Sequence, residues 1–252
     1  MQSLSKILVK QLEKLLTKDG WLERLVAKHS KVGDSVFFDE EQFPWAKDLE
    51  ANWMVIRQEL EQVLERVDEL PNFQDISKRQ YRIANDNLWK TYFLYAFGFK
   101  ATRNCERCPE TTKLIEKIPG MKVAFFSILA PGKHIPRHRG KLKTLIRYHL
   151  GLIVPEPKEK CKIQIADEIK YWEEGKSLIF DDTFYHQVWN DTDGYRVVLF
   201  LDIARPLKFP LSVVSSLANK FITASPIVQE AKASHQAWED KFEAQTKSKE
   251  LV

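Results

Sequence analysis

Two histidines, His138 and His186, lie in separate strand-like stretches, Pro131–Gly140 and Phe180–Trp189, and two arginines, Arg147 and Arg196, lie in neighbouring ones, Leu145–Gly151 and Tyr195–Val198. An imidazole pair suits a mid-row transition metal. An interior guanidinium suits a carboxylate held through two parallel hydrogen bonds. Together they ask for a metal that works with a small carboxylic acid, which points toward oxygenase chemistry. Four of the six histidines fall between His134 and His186, and two of them border turns, where ligands converge on a barrel mouth.

Alternation along a strand places Arg147, His149 and Gly151 on one face and Ile146, Tyr148, Leu150 and Leu152 on the other. If the aliphatic face packs on a second layer, the arginine and histidine look into the barrel. Likewise Arg196, Val198, Phe200 and Asp202 lie opposite Val197, Leu199, Leu201 and Ile203. A guanidinium in a core strand is costly unless an anion meets it. That anion is either a protein carboxylate such as Asp181 or Asp182, or the carboxylate of a ligand, and both remain open here.

The elements that must position these residues form a β-rich middle between helical ends. Strands are expected at Met121–Leu129, Leu145–Val154, Cys161–Ala166, Ile169–Trp172, Ser177–Phe180, His186–Trp189 and Tyr195–Ile203, punctuated by Gly and Pro. Seven short strands at close spacing predict a mainly β fold with helical flanks, a jelly roll or barrel rather than a parallel α/β sheet. An aromatic alternation between Asn87 and Lys100 adds a further strand. Helices are expected at Ser3–Lys18, Ala46–Val67, Thr111–Ile118, Leu211–Ile222 and Val228–Gln245. The domain division is then 1–70, a helical flank; 71–207, the β core; and 208–252, a helical extension. Cys105 and Cys108 read better as thiols at a loop-to-helix boundary than as half of a zinc site, because no second ligand pair lies nearby.

With these residues set out, the run Phe126–Pro155, then Trp172–Gly175 and Leu178–Trp189, resembles the aspartyl/asparaginyl beta-hydroxylase family. The resemblance covers about residues 40–207 and includes the arginine ten positions after His186. It implies a double-stranded β-helix, the cupin-like jelly roll, and an iron(II)- and 2-oxoglutarate-dependent dioxygenase that uses O2 as cosubstrate. By position, His138 and His186 would be the metal ligands. Arg147 and His149 would hold the metal-proximal carboxylate of 2-oxoglutarate, with Ser127 and Arg196 on the distal one. Most oxygenases of the wider superfamily carry an acid two residues after the first histidine. Here that residue is Gly140, and the family itself is similar in lacking the acid.

The resemblance implies hydroxylation of an unactivated C–H, first of an aspartyl or asparaginyl β-carbon in a peptide or small molecule. The alternative is a lipid A-type acyl chain at a membrane surface, favoured by the lysine-lined Leu4–Lys18 helix and the apolar Leu211–Ile222 segment. A non-enzymatic jelly roll that binds an anion or a protein is the competing class, and it predicts no iron-dependent turnover of 2-oxoglutarate. Arg139, Lys141 and Lys143, beside His138, fit either an acidic substrate or a solvated loop.

Composition narrows the field. The chain has 252 residues, 44% hydrophobic and 29% charged, which is enough for one sizeable core and too apolar for disorder. No run reaches the ~20 apolar residues of a membrane span, and lysines interrupt every stretch that could serve as a signal peptide. The net charge of +4 does not call for nucleic acid, and three cysteines fit a reducing compartment. A cytoplasmic protein is expected, with peripheral membrane contact through its amphipathic terminal helices as the variant.

Overall fold

A computed structural model describes residues 20–223 and 225–250. The Ser3–Lys18 helix expected from the leucine and lysine rows lies outside those residues. Two antiparallel sheets face each other. The larger has seven strands in the order β1-β9-β6-β11-β4-β2-β3, and the smaller has four, β5-β10-β7-β8. In the larger sheet the strands are β1 (Phe37–Phe38), β2 (Trp89–Ala96), β3 (Phe99–Lys100), β4 (Met121–Leu129), β6 (Leu145–Ile153), β9 (Ser177–Phe180) and β11 (Arg196–Ala204). The smaller sheet holds β5 (Lys133–His138), β7 (Cys161–Ile165), β8 (Glu168–Tyr171) and β10 (His186–Asn190). This is the expected jelly-roll architecture. β5 lies within the strand-like stretch Pro131–Gly140 that carries His138, although that stretch is not among the seven regular strands expected, and it contains Pro136. It is an edge strand, where a missing N–H is tolerated.

Each large-sheet strand sends one row of side chains to each side. Ile146, Tyr148, Leu150, Val197, Leu199 and Leu201 join a buried outer core with helices α2 (Trp45–Ala51) and α3 (Trp53–Leu64), which follow α1 (Trp21–His29). Phe125, Val198 and Phe200 face inward against Ile135, Ile163 and Val188 of the small sheet. Arg147, His149 and Arg196 therefore look into the space between the sheets, and the aliphatic rows look out.

The helix expected over Ala46–Val67 is two helices. At Asn52 the backbone leaves helical geometry, with φ −109° and ψ 13°, and the Asn52 side-chain amide donates to the Asp48 carbonyl at 2.8 Å. A side chain that hydrogen-bonds its own backbone competes with the helical ladder. After α4 (Phe73–Ile76), the region expected to be a loop and one short helix instead carries two, α5 (Thr102–Arg107) and α6 (Pro109–Glu116). The α6 N-terminus receives the buried Glu59 carboxylate, which accepts from Glu110 N–H and Thr111 N–H at 2.8 Å each. Cys105, Cys108 and Cys161 are buried free thiols.

Beyond β11 come α7 (Leu211–Thr223) and α8 (Pro226–Glu250). α7 leaves Val213, Val214 and Leu217 exposed, beside the exposed Phe209. Among the described residues, no helix is long and apolar enough to cross a membrane. In α8, His235 is buried among Phe93, Phe99 and Trp238, and burial pushes its imidazole down to about 4. The folded protein keeps this ring neutral, whereas the unfolded chain takes up its proton near 6.5. The contribution is therefore intact above pH 6.5 and is lost as pH falls toward 4. A His235→Phe variant should show a shallower fall in urea midpoint than the parent across that window. An equal slope in the two proteins would contradict this.

Candidate functional site

The imidazole pair is built by strand register. β10 runs antiparallel between β5 and β7, and His186 is the cross-strand partner of His138. Their ring centroids are 4.2 Å apart. A register irregularity directly after His186 is the kind of bulge that re-aims a side chain beside a site. Both rings are oriented by the same device. The His138 Nδ1–H donates to the Pro136 carbonyl at 2.8 Å, and the His186 Nδ1–H donates to the Phe184 carbonyl at 2.9 Å. Both Nε2 atoms are thereby left as lone-pair bearers, the tautomer a metal ligand needs. Burial and the neighbouring His186 push His138 down to about 3. Burial and Arg147 push His186 down to about 4.

Among the described residues, no group of three or more His, Cys, Asp or Glu side chains is arranged to hold a metal. Position 140, where the wider superfamily has its acid, is sterically taken: a Cβ on Gly140 would overlap the Asp182 carboxylate, and Gly140 N–H donates to the Asp182 carbonyl at 2.7 Å. Gly140→Ala should therefore push Asp182 off Arg147 and destabilise the fold by about 1–3 kcal/mol, as overpacking does. A thermal melt equal to the parent's would show that the loop gives way freely.

Across the interior, the large sheet contributes the polar residues. Arg147 Nε and Nη2 meet Asp202 at 3.0 and 3.3 Å, and Nη2 also lies 2.9 Å from Asp182. Burial pushes both carboxyl groups up from their usual range, against the pull of Arg147. Of the two anions considered for the arginines, the protein carboxylate is realised at Arg147. Asp182 and Asp202 supply it, while Asp181 instead pairs with Lys143 and Arg205. Lys143 is thereby buried and engaged, whereas Arg139 pairs with Glu23 at 2.6 Å near the surface and Lys141 is exposed.

Arg196 is different. It is 2% exposed, and its Nε and Nη1 have no hydrogen-bond partner. Its guanidinium lies 4.5 Å from the Trp172 ring centroid, and burial pushes it down to about 10. The indole N–H of Trp172 donates to His149 Nδ1 at 3.3 Å, which places the remaining ring proton on Nε2, and that atom too is buried without a partner. Burial, with the Arg196 and Arg147 charges, holds His149 well below its usual value. Ser127 is buried, and its Oγ accepts from the Trp89 indole at 3.1 Å. Trp172 thus sits beneath Arg196 while orienting His149, a placement for which the sequence gives no periodic signal. Its approach depends on Gly151, where a Cβ would collide with the Glu173 carbonyl. Asp202 was visible in principle, being on the same strand face as Arg196.

Beside these residues a cavity of about 190 Å³ opens between the large sheet and helices α4 and α8. Arg147 and Asp202 stand at one side, and aromatic rings, among them Phe73, Phe93, Phe125 and Phe200, make most of the wall.

The aspartyl/asparaginyl beta-hydroxylase family matches residues 50–206. The chain belongs to that family. Among curated hydroxylases, the ornithine lipid ester-linked acyl 2-hydroxylase of Rhizobium tropici is 45% identical over 91% of this chain and 82% of its own length. The human aspartyl/asparaginyl beta-hydroxylase is 38% identical over 64% of this chain, which spans only 21% of that longer protein. A cupin domain of an Enterobacter cloacae transcriptional regulator overlaps 46% of this chain and 96% of its own at 14% identity and a TM-score of 0.32, too loose to add to the topology. As a member of the aspartyl/asparaginyl beta-hydroxylase family, the chain is of hydroxylase type. The family match ends at residue 206, so the wall that α8 adds to the cavity lies outside the matched core.

Proposed function

We propose that this chain is an iron(II)- and 2-oxoglutarate-dependent hydroxylase whose substrate is an ester-linked acyl chain of a membrane lipid, oxidised next to the ester carbonyl. The observation that carries the substrate is the aromatic-walled cavity that opens beside Arg147 and Asp202. An aspartyl side chain needs polar partners, and most of this wall offers none. An aliphatic chain needs only exclusion from water. The R. tropici relative, whose name specifies an ester-linked acyl 2-hydroxylase, supports the same reading.

The residues present fit both groups the reading requires. His138 and His186 offer two converging Nε2 lone pairs, and neutral imidazole is the form that ligates. Arg196 and His149 offer buried N–H donors without an acceptor, which a ligand carboxylate would satisfy. Ser127 stands by on the adjacent strand, paired in register with Val198. Once bound, the metal and 2-oxoglutarate would supply O2 activation coupled to decarboxylation to succinate and CO2. The protein's own part is orientation and dryness. Trp172 fixes His149, Pro136 and Phe184 fix the two ligand rings, and Asp182 with Asp202 holds Arg147 in place. The aromatic wall then excludes water from the C–H to be oxidised. Phe209, Val213, Val214 and Leu217 give the molecule an exposed apolar face suited to the bilayer that holds such a lipid.

The test is anaerobic protein with iron(II), 2-oxoglutarate and vesicles containing ester-linked acyl lipids, then admission of air. Succinate and a lipid product heavier by one oxygen are expected. Hydroxylation of an Asp-containing peptide with no lipid product would replace this reading with the aspartyl one. Absence of both products would favour a binding module. Failure of the protein to pellet with the vesicles would remove the membrane-facing role of α7.

A further inference from the structure

The cavity has walls of two origins. Its floor is the inner face of the large sheet, crossing β6, β11, β4, β2 and β3 in turn, from Arg147 to Phe99. Five neighbouring strands span roughly 19 Å at ~4.8 Å per strand. Facing the floor is the start of α8, where Val228, Ala231, Lys232 and His235 recur at i, i+3, i+4 and i+7, the spacing of a single helix face. Those first turns have contacts of their own: His235 is buried against Phe93 and Phe99, and Lys78 pairs with Glu230 at 3.1 Å. The helix is fastened again farther along, where the Trp238 indole donates to the Glu69 carbonyl at 3.0 Å and Phe242 lies 3.7 Å beneath the Arg66 guanidinium. Arg103 pairs with Asp240 at 2.9 Å. These later contacts lie outside the cavity, so the helix keeps an anchor when a cavity-facing residue such as Ala231 changes in size.

The floor gives the slot two ends. Arg147, Asp202 and Phe200 belong to the strands that carry His149 and Arg196, whereas α8 stands at the β2–β3 side, beside Phe99. An occupant that enters past Arg147 and Asp202 meets aromatic rings and then α8. The small side chain of Ala231 is what leaves room there.

We propose that the first two turns of α8 are the end stop of an acyl slot and set the length of chain the enzyme accepts. This rests on the acyl reading of the substrate. Because a buried methylene is worth roughly fourfold in affinity, a stop that displaces three of them should cost a long chain roughly 60-fold and a short chain nothing.

The experiment has two readouts on the full chain. Without metal, cis-parinaric acid, a long fluorescent fatty acid, is titrated, and decanoate is bound separately by calorimetry. With iron(II) and 2-oxoglutarate, vesicles of mixed acyl length are hydroxylated and the products sorted by length. Ala231→Phe should weaken parinarate roughly 60-fold, leave decanoate within about twofold, and shift products to shorter chains. Val228→Ala, a truncation on the same helix face, should shift products the other way. If Ala231→Phe melts below the parent, Ala231→Leu and Val228→Ala decide the matter. Acyl hydroxylation with the same length profile in all variants would overturn the end stop and leave the acyl reading standing. Parinarate binding that responds to Ala231→Phe, with no acyl lipid hydroxylated by the parent, would overturn the acyl reading and with it the substrate role of the slot.

Discussion

His186→Ala should abolish succinate formation and lipid hydroxylation together, and His138→Ala should do the same. Losing an outer partner of a metal ligand already costs about 10–100-fold in metal affinity or activity, so losing one of only two protein ligands should cost more than that. The fold gives no substitute. No third His, Cys, Asp or Glu converges on the pair among the described residues, and Asp182 is engaged by Arg147. The readout has to separate metal loss from misfolding. His186 is buried at the centre of the small sheet, and its truncation should lower stability by about 1–3 kcal/mol without unfolding the chain. Cobalt(II) absorption reports on the site directly: the parent should develop a ligand-field band with one equivalent, and His186→Ala should not. A folded His186→Ala protein that still forms succinate at the parent rate would end the metal assignment.

Arg196→Met should act in opposite directions on stability and on cosubstrate use. In the structure Arg196 is a buried cation with two unpartnered N–H groups, pushed down to about 10 by burial. Charge in that state costs free energy, so an apolar side chain of similar length should leave the protein as stable or raise its stability by about 1–4 kcal/mol. At ~2–4 °C per kcal/mol for a chain of this size, the melting temperature should hold or rise by several degrees. The same change removes a charge-assisted contact to 2-oxoglutarate, worth about 1.5–3 kcal/mol, or roughly 10–150-fold in apparent KM with a smaller effect on kcat. The thermal shift that 2-oxoglutarate produces in the parent should disappear. A variant that melts well below the parent and keeps its KM would show that Arg196 serves the fold instead.

How much of this was legible beforehand depends on the kind of signal. Period-two alternation in Leu145–Leu152 and Arg196–Ile203 separates an aliphatic row from a polar one. The structure sends the aliphatic row to the helices and the polar row between the sheets. Asn52 broke a helix expected to be continuous because one amide's local hydrogen bond outweighs a hydrophobic stripe that runs straight through it. The partners of Arg147 were legible only in part: Asp182 was one of two candidate carboxylates named beside Asp181, and Asp202 was not among them. Asp182 and Asp202 sit 35 and 55 positions away, and which nearby carboxylate turns toward a given guanidinium is settled by strand order and loop path.

The amino-acid sequence by itself determined the jelly-roll class, the two imidazoles and the inward-facing arginines, because side-chain alternation and residue chemistry are local properties. Only the tertiary structure decided that Arg147 is satisfied while Arg196 is not, that Trp172 joins His149 to Arg196, and that α8 closes a cavity over the inner sheet. Those facts depend on which distant segments share one interior. That sharing follows from strand pairing and packing across the whole chain, which no window of sequence contains.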